Sequence, residues 1–185
     1  ELAGKGVSYC ALCDGQFFRG QDVACIGGGN TALEESLYLS KLANKVYLIH
    51  RRDAFRGDRI YQDKVLSAPN IEVVYDTVAT RILGEQEVEG LDLTNVKTDV
   101  SSKLDLQGVF IFVGLNPIVS FVPEQMERDE AGFIVTDAEM RTNLPGVFAA
   151  GDVRSKICRQ ITTAVGDGAT AGYGAFLFAE EAGHA

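Results

Sequence analysis

Two cysteines separated by two residues, Cys10-Ala11-Leu12-Cys13, stand close enough in the chain to close a small disulfide, and an acid, Asp14, follows at once. Such a pair in a cysteine-poor chain is more often redox-active or metal-binding than structural. Zinc requires two further ligands, and the chain does not offer them. Cys25 falls inside an apolar run, Cys158 is distant, and His50 belongs to a basic cluster. No metal site is expected, and the pair reads as a redox dithiol. Asp14 is placed to give or take a proton in thiol chemistry, or to cap and bend the following turn. Cys25 reads as a small core hydrophobe, and Cys158 is given no function.

A second site is written in Gly27-Gly28-Gly29-Asn30-Thr31-Ala32. This is G-x-G-x-x-A, with Gly27 for the tight turn, Gly29 for close approach of a pyrophosphate, and Ala32 for close helix–strand packing. The free N–H groups of the helix start, with Asn30 and Thr31, would face the anion. About twenty residues later comes His50-Arg51-Arg52-Asp53-Ala54-Phe55-Arg56. An NAD-type fold would place an acid there to hold the ribose 2′-hydroxyl. Arg51, Arg52 and Arg56 can instead surround a 2′-phosphate with planar, multiply donating guanidinium groups. NADPH is therefore the expected nucleotide. Asp53 follows the first two arginines and reads as a turn former.

The elements that must position these groups follow a β-α-β rhythm. Residues 22–27 read as a buried strand, 30–42 as a helix, 45–49 as a second strand, 58–66 as a second helix and 71–75 as a third strand. Antiparallel β-structure is expected between 78 and 106, and another apolar strand over 108–114, broken by Asn116-Pro117. Short strands are expected at 133–135 and 147–149, and a packed Ala/Gly-rich helix over the last twenty or so residues. A domain boundary is placed at 115/116.

Composition sets outer bounds. Of 185 residues, 46% are hydrophobic and 23% charged, an ordinary globular balance. A net charge of −9 argues against a nucleic-acid partner, because phosphate binding rests on Lys and Arg. No apolar run approaches the roughly 20 residues of a membrane span. Four cysteines are too few for a secreted disulfide scaffold, so a cytoplasmic protein is expected.

Cys10-Ala-Leu-Cys-Asp14, the Gly27–Ala32 turn, His50–Arg56 and Pro145-Gly-Val-Phe-Ala-Ala-Gly-Asp152 followed by Arg159-Gln160 together resemble the low-molecular-weight bacterial thioredoxin reductases. A C-x-x-C lying just before the glycine turn distinguishes that group from glutathione-reductase-like enzymes. The resemblance implies an α/β fold of the two-dinucleotide-binding-domain flavoprotein type. Residues 1–115 would be a Rossmann-like three-layer NADPH-binding domain, and 116–185 the C-terminal part of an FAD-binding domain. It implies electron flow from NADPH through FAD to Cys10–Cys13 and on to thioredoxin. Cys13 would be the sulfur nearer the flavin and Asp14 the catalytic acid. Gly29, Asn30, Thr31, His50, Arg51, Arg52 and Arg56 fall on nicotinamide-nucleotide positions. Gly151 and Asp152 fall on the FAD ribityl motif, and Arg159 and Gln160 near the isoalloxazine. The whole protein would be a homodimer that rotates its domains.

Ile161 departs mildly from the family's usual alanine, and the N-terminal FAD-binding half is not in the sequence. The chain, which opens at Glu1, is therefore expected to be a piece that does not turn over alone. Alternatives are the flavoprotein subunit of an alkyl hydroperoxide reductase, a dithiol oxidase, which the arginines disfavour, and a ferredoxin–NADP reductase, which lacks the dithiol. From another class comes a catalytically inert NADPH-binding module.

Overall fold

The computed structural model describes residues 2–183 and divides into two compact units, one ending at Gly114 and one beginning at Leu115. In the first unit the elements are β1 (Val7–Ser8), α1 (Ala11–Asp14), β2 (Asp22–Gly27), α2 (Asn30–Leu39), β3 (Lys45–Ile49), α3 (Arg59–Ser67), β4 (Ile71–Val74), β5 (Thr77–Leu83), β6 (Gly90–Asn95), β7 (Ser101–Asp105) and β8 (Gly108–Phe112). Five strands form one parallel sheet in the order β1-β8-β2-β3-β4. The other three form an antiparallel sheet, β5-β6-β7.

Strand β2 shows why the unit has three layers. Its side chains alternate across the sheet, as the two-residue period of a strand requires. Val23 and Cys25 enter a core with Leu33 and Leu39 of α2 and Val65 of α3. Ala24 and Ile26 enter a second core with Leu91 and Leu93 of β6. Helices therefore cover one face of the parallel sheet and the antiparallel sheet covers the other. Both faces being buried, the central strands are near-continuous apolar runs.

Helix α2 ends at Leu39, earlier than the expected 42. The chain must reverse to enter β3, and Leu42 and Ala43 both donate backbone N–H groups to the Leu39 carbonyl. Ala43 is buried, so apolar spacing runs on through the turn and mimics a longer helix. The strands expected at 71–75 and 108–114 are likewise shorter, ending at Val74 and Phe112.

The second unit contains α4 (Ile161–Glu181) and a short 3-10 turn at Gly151–Val153. The strands expected at 133–135 and 147–149 do not form. Only isolated bridges occur, Arg128 to Ile134, Ile134 to Arg154 and Arg141 to Phe148. The backbone donors of these segments go to scattered loop carbonyls: Ile134 to Val153, Val135 to Glu127 and Ala149 to Met140. Each segment is apolar enough for a strand but has no ladder partner. The final helix forms as expected but is not packed as expected, for none of its residues is buried. It packs within its own unit, with Phe148 against Gly174, Phe178 against Gly146, and Asp167 bonded to Gly151, Arg154 and Lys156. No helix among the described residues is long and apolar enough to cross a membrane.

Candidate active site

The dithiol sits where the edge strand turns into a single helical turn. Cys10 and Cys13 are joined, with S–S 2.04 Å and Cα–Cα 5.3 Å. Cys10 is the N-cap of α1, and its Sγ accepts the Cys13 N–H at 3.2 Å. Cys13 is exposed and Cys10 half-buried, among the exposed apolar side chains Tyr9, Leu12 and Phe17. Beneath them, buried Ser8 accepts the Cys10 N–H at 3.1 Å and donates to Asp14 Oδ2 at 2.6 Å. Ser8 thus fixes both the start of the C-x-x-C loop and the orientation of the acid behind it. From α2, Glu35 accepts the Ala11 N–H at 2.9 Å. Burial raises the Glu35 carboxyl, and the Ala11 and Leu12 amides oppose the shift. Cys25, fully enclosed in β2, has its thiol pushed up to about 12 by burial. It is a core side chain and an unreactive one.

The glycine turn lies at the end of β2, between β3 on one side and β8 on the other. This is the position where the connections leave a sheet in opposite directions and open a crevice. Gly27 has no room for a side chain, since a Cβ would lie 2.5 Å from the Phe112 carbonyl oxygen and 2.7 Å from the Ala32 Cβ. Gly28 lies directly against the His50 ring. Gly29 faces open space and caps α2 without a side-chain acceptor. The first-turn amides of α2 are therefore left for an outside anion.

The basic loop is tied to this turn by backbone bonds. Arg56 and Gly57 donate to the Gly28 carbonyl at 2.8 and 3.2 Å. Asn30 and Asp58 exchange two bonds, Asn30 Nδ2 to Asp58 Oδ2 at 3.0 Å and Asp58 N to Asn30 Oδ1 at 2.6 Å. A cleft of about 400 Å³ results, lined by Gly27, Gly28, Gly29, Thr31, His50, Arg51 and Arg56, with Thr77, Val78, Ala79 and Phe112. Arg51, Arg52 and Arg56 are exposed. Among the described residues no carboxylate pairs with them, because Asp53 is bonded to Lys97 at 3.0 Å instead. Arg52 and Asn30 do not line the cleft itself, and Ala32 is buried beneath it. His50 is 5% exposed, its Nε2 within 3.0 Å of the Ala54 carbonyl oxygen, and it serves as the floor of the turn.

In the second unit Gly151 donates its N–H to Asp167 Oδ2 at 3.0 Å. The same oxygen pairs with Lys156 at 2.8 Å and Arg154 at 2.9 Å. The Lys156 ammonium, then Arg154 and the Gly151 amide, hold the Asp167 carboxyl down to about 2. Arg159 lies over the Phe133 ring, 3.8 Å from its centroid, and donates to the Asp152 and Arg154 carbonyls. Gln160 forms a capping box with Thr163 at the start of α4. Gly151, Asp152, Arg159 and Gln160 thus belong to one local assembly within the second unit.

Sequence reasoning missed Ser8, Glu35 and Asp167. Each acts through a bond of tertiary or loop geometry, and their spacing to the motifs has no period that would single them out. Val78 and Ala79 fall in the stretch expected to be antiparallel, Thr77 lies just before it, and nothing local marks any of the three as cleft walls.

The pyridine nucleotide-disulphide oxidoreductase family matches residues 1–168. Thioredoxin reductase of Listeria monocytogenes is 45% identical over 98% of this chain and 57% of its own length. That of Treponema pallidum is 47% identical over 95% of this chain and 57% of its own length. Among solved structures, thioredoxin reductase from Streptococcus pyogenes superposes with a TM-score of 0.89 at 47% identity, covering 96% of this chain and 58% of that one. The chain thus spans little more than half the length of the relatives it matches. With a bridged C-x-x-C and a glycine-and-arginine cleft in one sheet, and a family match running through nearly its whole length, the chain belongs to the pyridine nucleotide-disulphide oxidoreductases.

Proposed function

We propose that this chain is the nucleotide- and dithiol-bearing part of an NADPH-dependent thioredoxin reductase. The observation that carries the reading is one parallel sheet with a Cys10–Cys13 disulfide after its edge strand and a glycine–arginine cleft at its crevice. The first unit would bind the nicotinamide nucleotide, and the second would contribute the Gly151-Asp152 segment to a flavin site. In the cleft, Gly29 and the α2 amides would hold the pyrophosphate of the nucleotide, and Arg51 and Arg56, with Arg52 beside them, would hold its 2′-phosphate. NADPH and FAD, when bound, supply the two electrons. Cys10–Cys13 accepts them, and Asp14, held by Ser8, supplies or removes the accompanying proton. Tyr9, Leu12 and Phe17 offer an apolar rim on which a protein disulfide substrate can rest. The reading carries with it a homodimeric whole protein working in the cytoplasm.

Two measurements test it. Titration calorimetry on this chain should find NADPH bound more tightly than NADH. The full-length protein should oxidise NADPH in the presence of thioredoxin disulfide, and stop doing so after Cys13→Ser. Equal affinity for the two nucleotides removes the phosphate clamp, and thioredoxin reduction that survives Cys13→Ser removes the dithiol.

A further inference from the structure

We infer that Glu35 is a positioning residue that sets the reducing power of the Cys10–Cys13 dithiol, an inference that rests on the redox reading above. Glu35 stands on α2, the helix whose start forms the nucleotide turn, yet its carboxylate binds the Ala11 N–H, one residue beyond Cys10. Within α1 the Cys13 N–H points at Cys10 Sγ at 3.2 Å. Thiolates gain stability from such donors and from positive charge, and lose it beside negative charge. Glu35 binds the amide of the residue that follows Cys10 and brings a negative charge to the start of the C-x-x-C turn. Among the described residues, the titratable groups nearest it do not offset that charge: Asp14 on α1 and Glu34 on α2 are acids, and Cys25 on β2 is a neutral thiol. The carboxylate therefore disfavours the reduced, ionised dithiol and makes it a stronger reductant.

The relevant step balances as an exchange. Two glutathione thiols lose two electrons and join as a disulfide. The Cys10–Cys13 bond breaks, and each of its sulfurs gains one electron and, below its own pKa, one proton. A lower thiol pKa stabilises the reduced product only once the pH is high enough to ionise it.

The test compares the 185-residue chain with its Glu35→Gln variant, which keeps an oxygen acceptor for the Ala11 N–H and removes the charge. Both are equilibrated in glutathione buffers from pH 6 to 9 and trapped by alkylation, and the peptide carrying Cys10 and Cys13 is read by mass spectrometry. The expected result is convergence at pH 6. At pH 9 the variant's equilibrium lies about threefold further toward the dithiol, or about 14 mV at 29.6 mV per tenfold. The midpoint of the alkylation pH profile should fall by about half a unit, the same threefold. Coincident curves across the whole range would overturn the inference. A merely structural glutamate moves the unfolding midpoint but not these curves. Exchange of the reduced wild-type chain with thioredoxin disulfide is followed in parallel. Its absence counts against the proposed function alone, since the Glu35 comparison is read against glutathione.

Discussion

The two units hold their sites in different ways. In the first, the glycine turn and the dithiol hang from a sheet buried on both faces, with Phe110, Leu33, Leu39 and Leu48 wholly enclosed. In the second, the Gly151-Asp152 segment is held by one carboxylate, Asp167, bridging Lys156, Arg154 and the Gly151 amide, over a core of Met126, Ile134 and Ala149. Apolar burial scales with area and is indifferent to pH. A charge network depends on the ionisation of its members. The first site should therefore fail through cavities, and the second through protons.

Phe110→Ala should break the comparison most forcefully. Phe110 is fully buried and meets Phe18 edge-on at 5.3 Å, so its loss should cost about 3–5 kcal/mol, measured by urea denaturation. A cost under about 1 kcal/mol would mean the first unit is not held by its core.

The next effect is functional and leaves the fold alone. Arg51→Ala with Arg52→Ala removes two exposed guanidinium groups, each worth about 1.5–3 kcal/mol as a charge-assisted donor if it meets phosphate. The preference for NADPH over NADH should fall about tenfold or more in calorimetry, with the unfolding midpoint unchanged. An unchanged ratio would reduce the cluster to a solvated loop.

Asp167→Asn tests the other unit. Its carboxyl sits at about 2, below the ordinary 3.8, so the stabilisation is complete above about pH 4 and drains away as the pH falls toward 2. Hydrogen exchange in peptides spanning 151–170 should accelerate over that window in the wild-type chain. In Asp167→Asn the acceleration should already be present at pH 7 and change little with acid, for a loss of about 1–2 kcal/mol. A wild-type profile that stays flat from pH 4 to 2 would show that the network does not hold this segment.

The smallest effect is expected at Asn30→Ala, which removes two bonds between the starts of α2 and α3. It should cost about 1 kcal/mol and weaken NADPH and NADH alike. A selective loss of NADPH would move Asn30 into the phosphate clamp itself.

Legibility in the sequence followed the same divide. Periodicity placed β2, β3 and α3 to within a residue or two and bounded the antiparallel region without separating its strands; β2 and β3 lie in the buried parallel sheet, and their apolar pattern reports it. It failed at 133–135 and 147–149, where an apolar triplet forms only a bridge, since a strand needs a partner that three residues cannot specify. It also overstated the packing of α4, whose Ala and Gly resemble a buried face.

The chemistry-bearing motifs were set by sequence alone. A dithiol needs two cysteines at close spacing, a pyrophosphate turn needs residues without side chains, and a phosphate clamp needs arginines after the second strand. Each is a local requirement that local residues meet. Only the tertiary structure decided what supports them: Ser8 on Asp14, Glu35 on the amide of Ala11, His50 beneath Gly28, and Asp167 between two cations and Gly151. Most of these groups lie many residues from what they hold, and they meet it because the chain buries its apolar faces in this arrangement. Packing chooses such partners, and the spacing of residues along the chain does not record them.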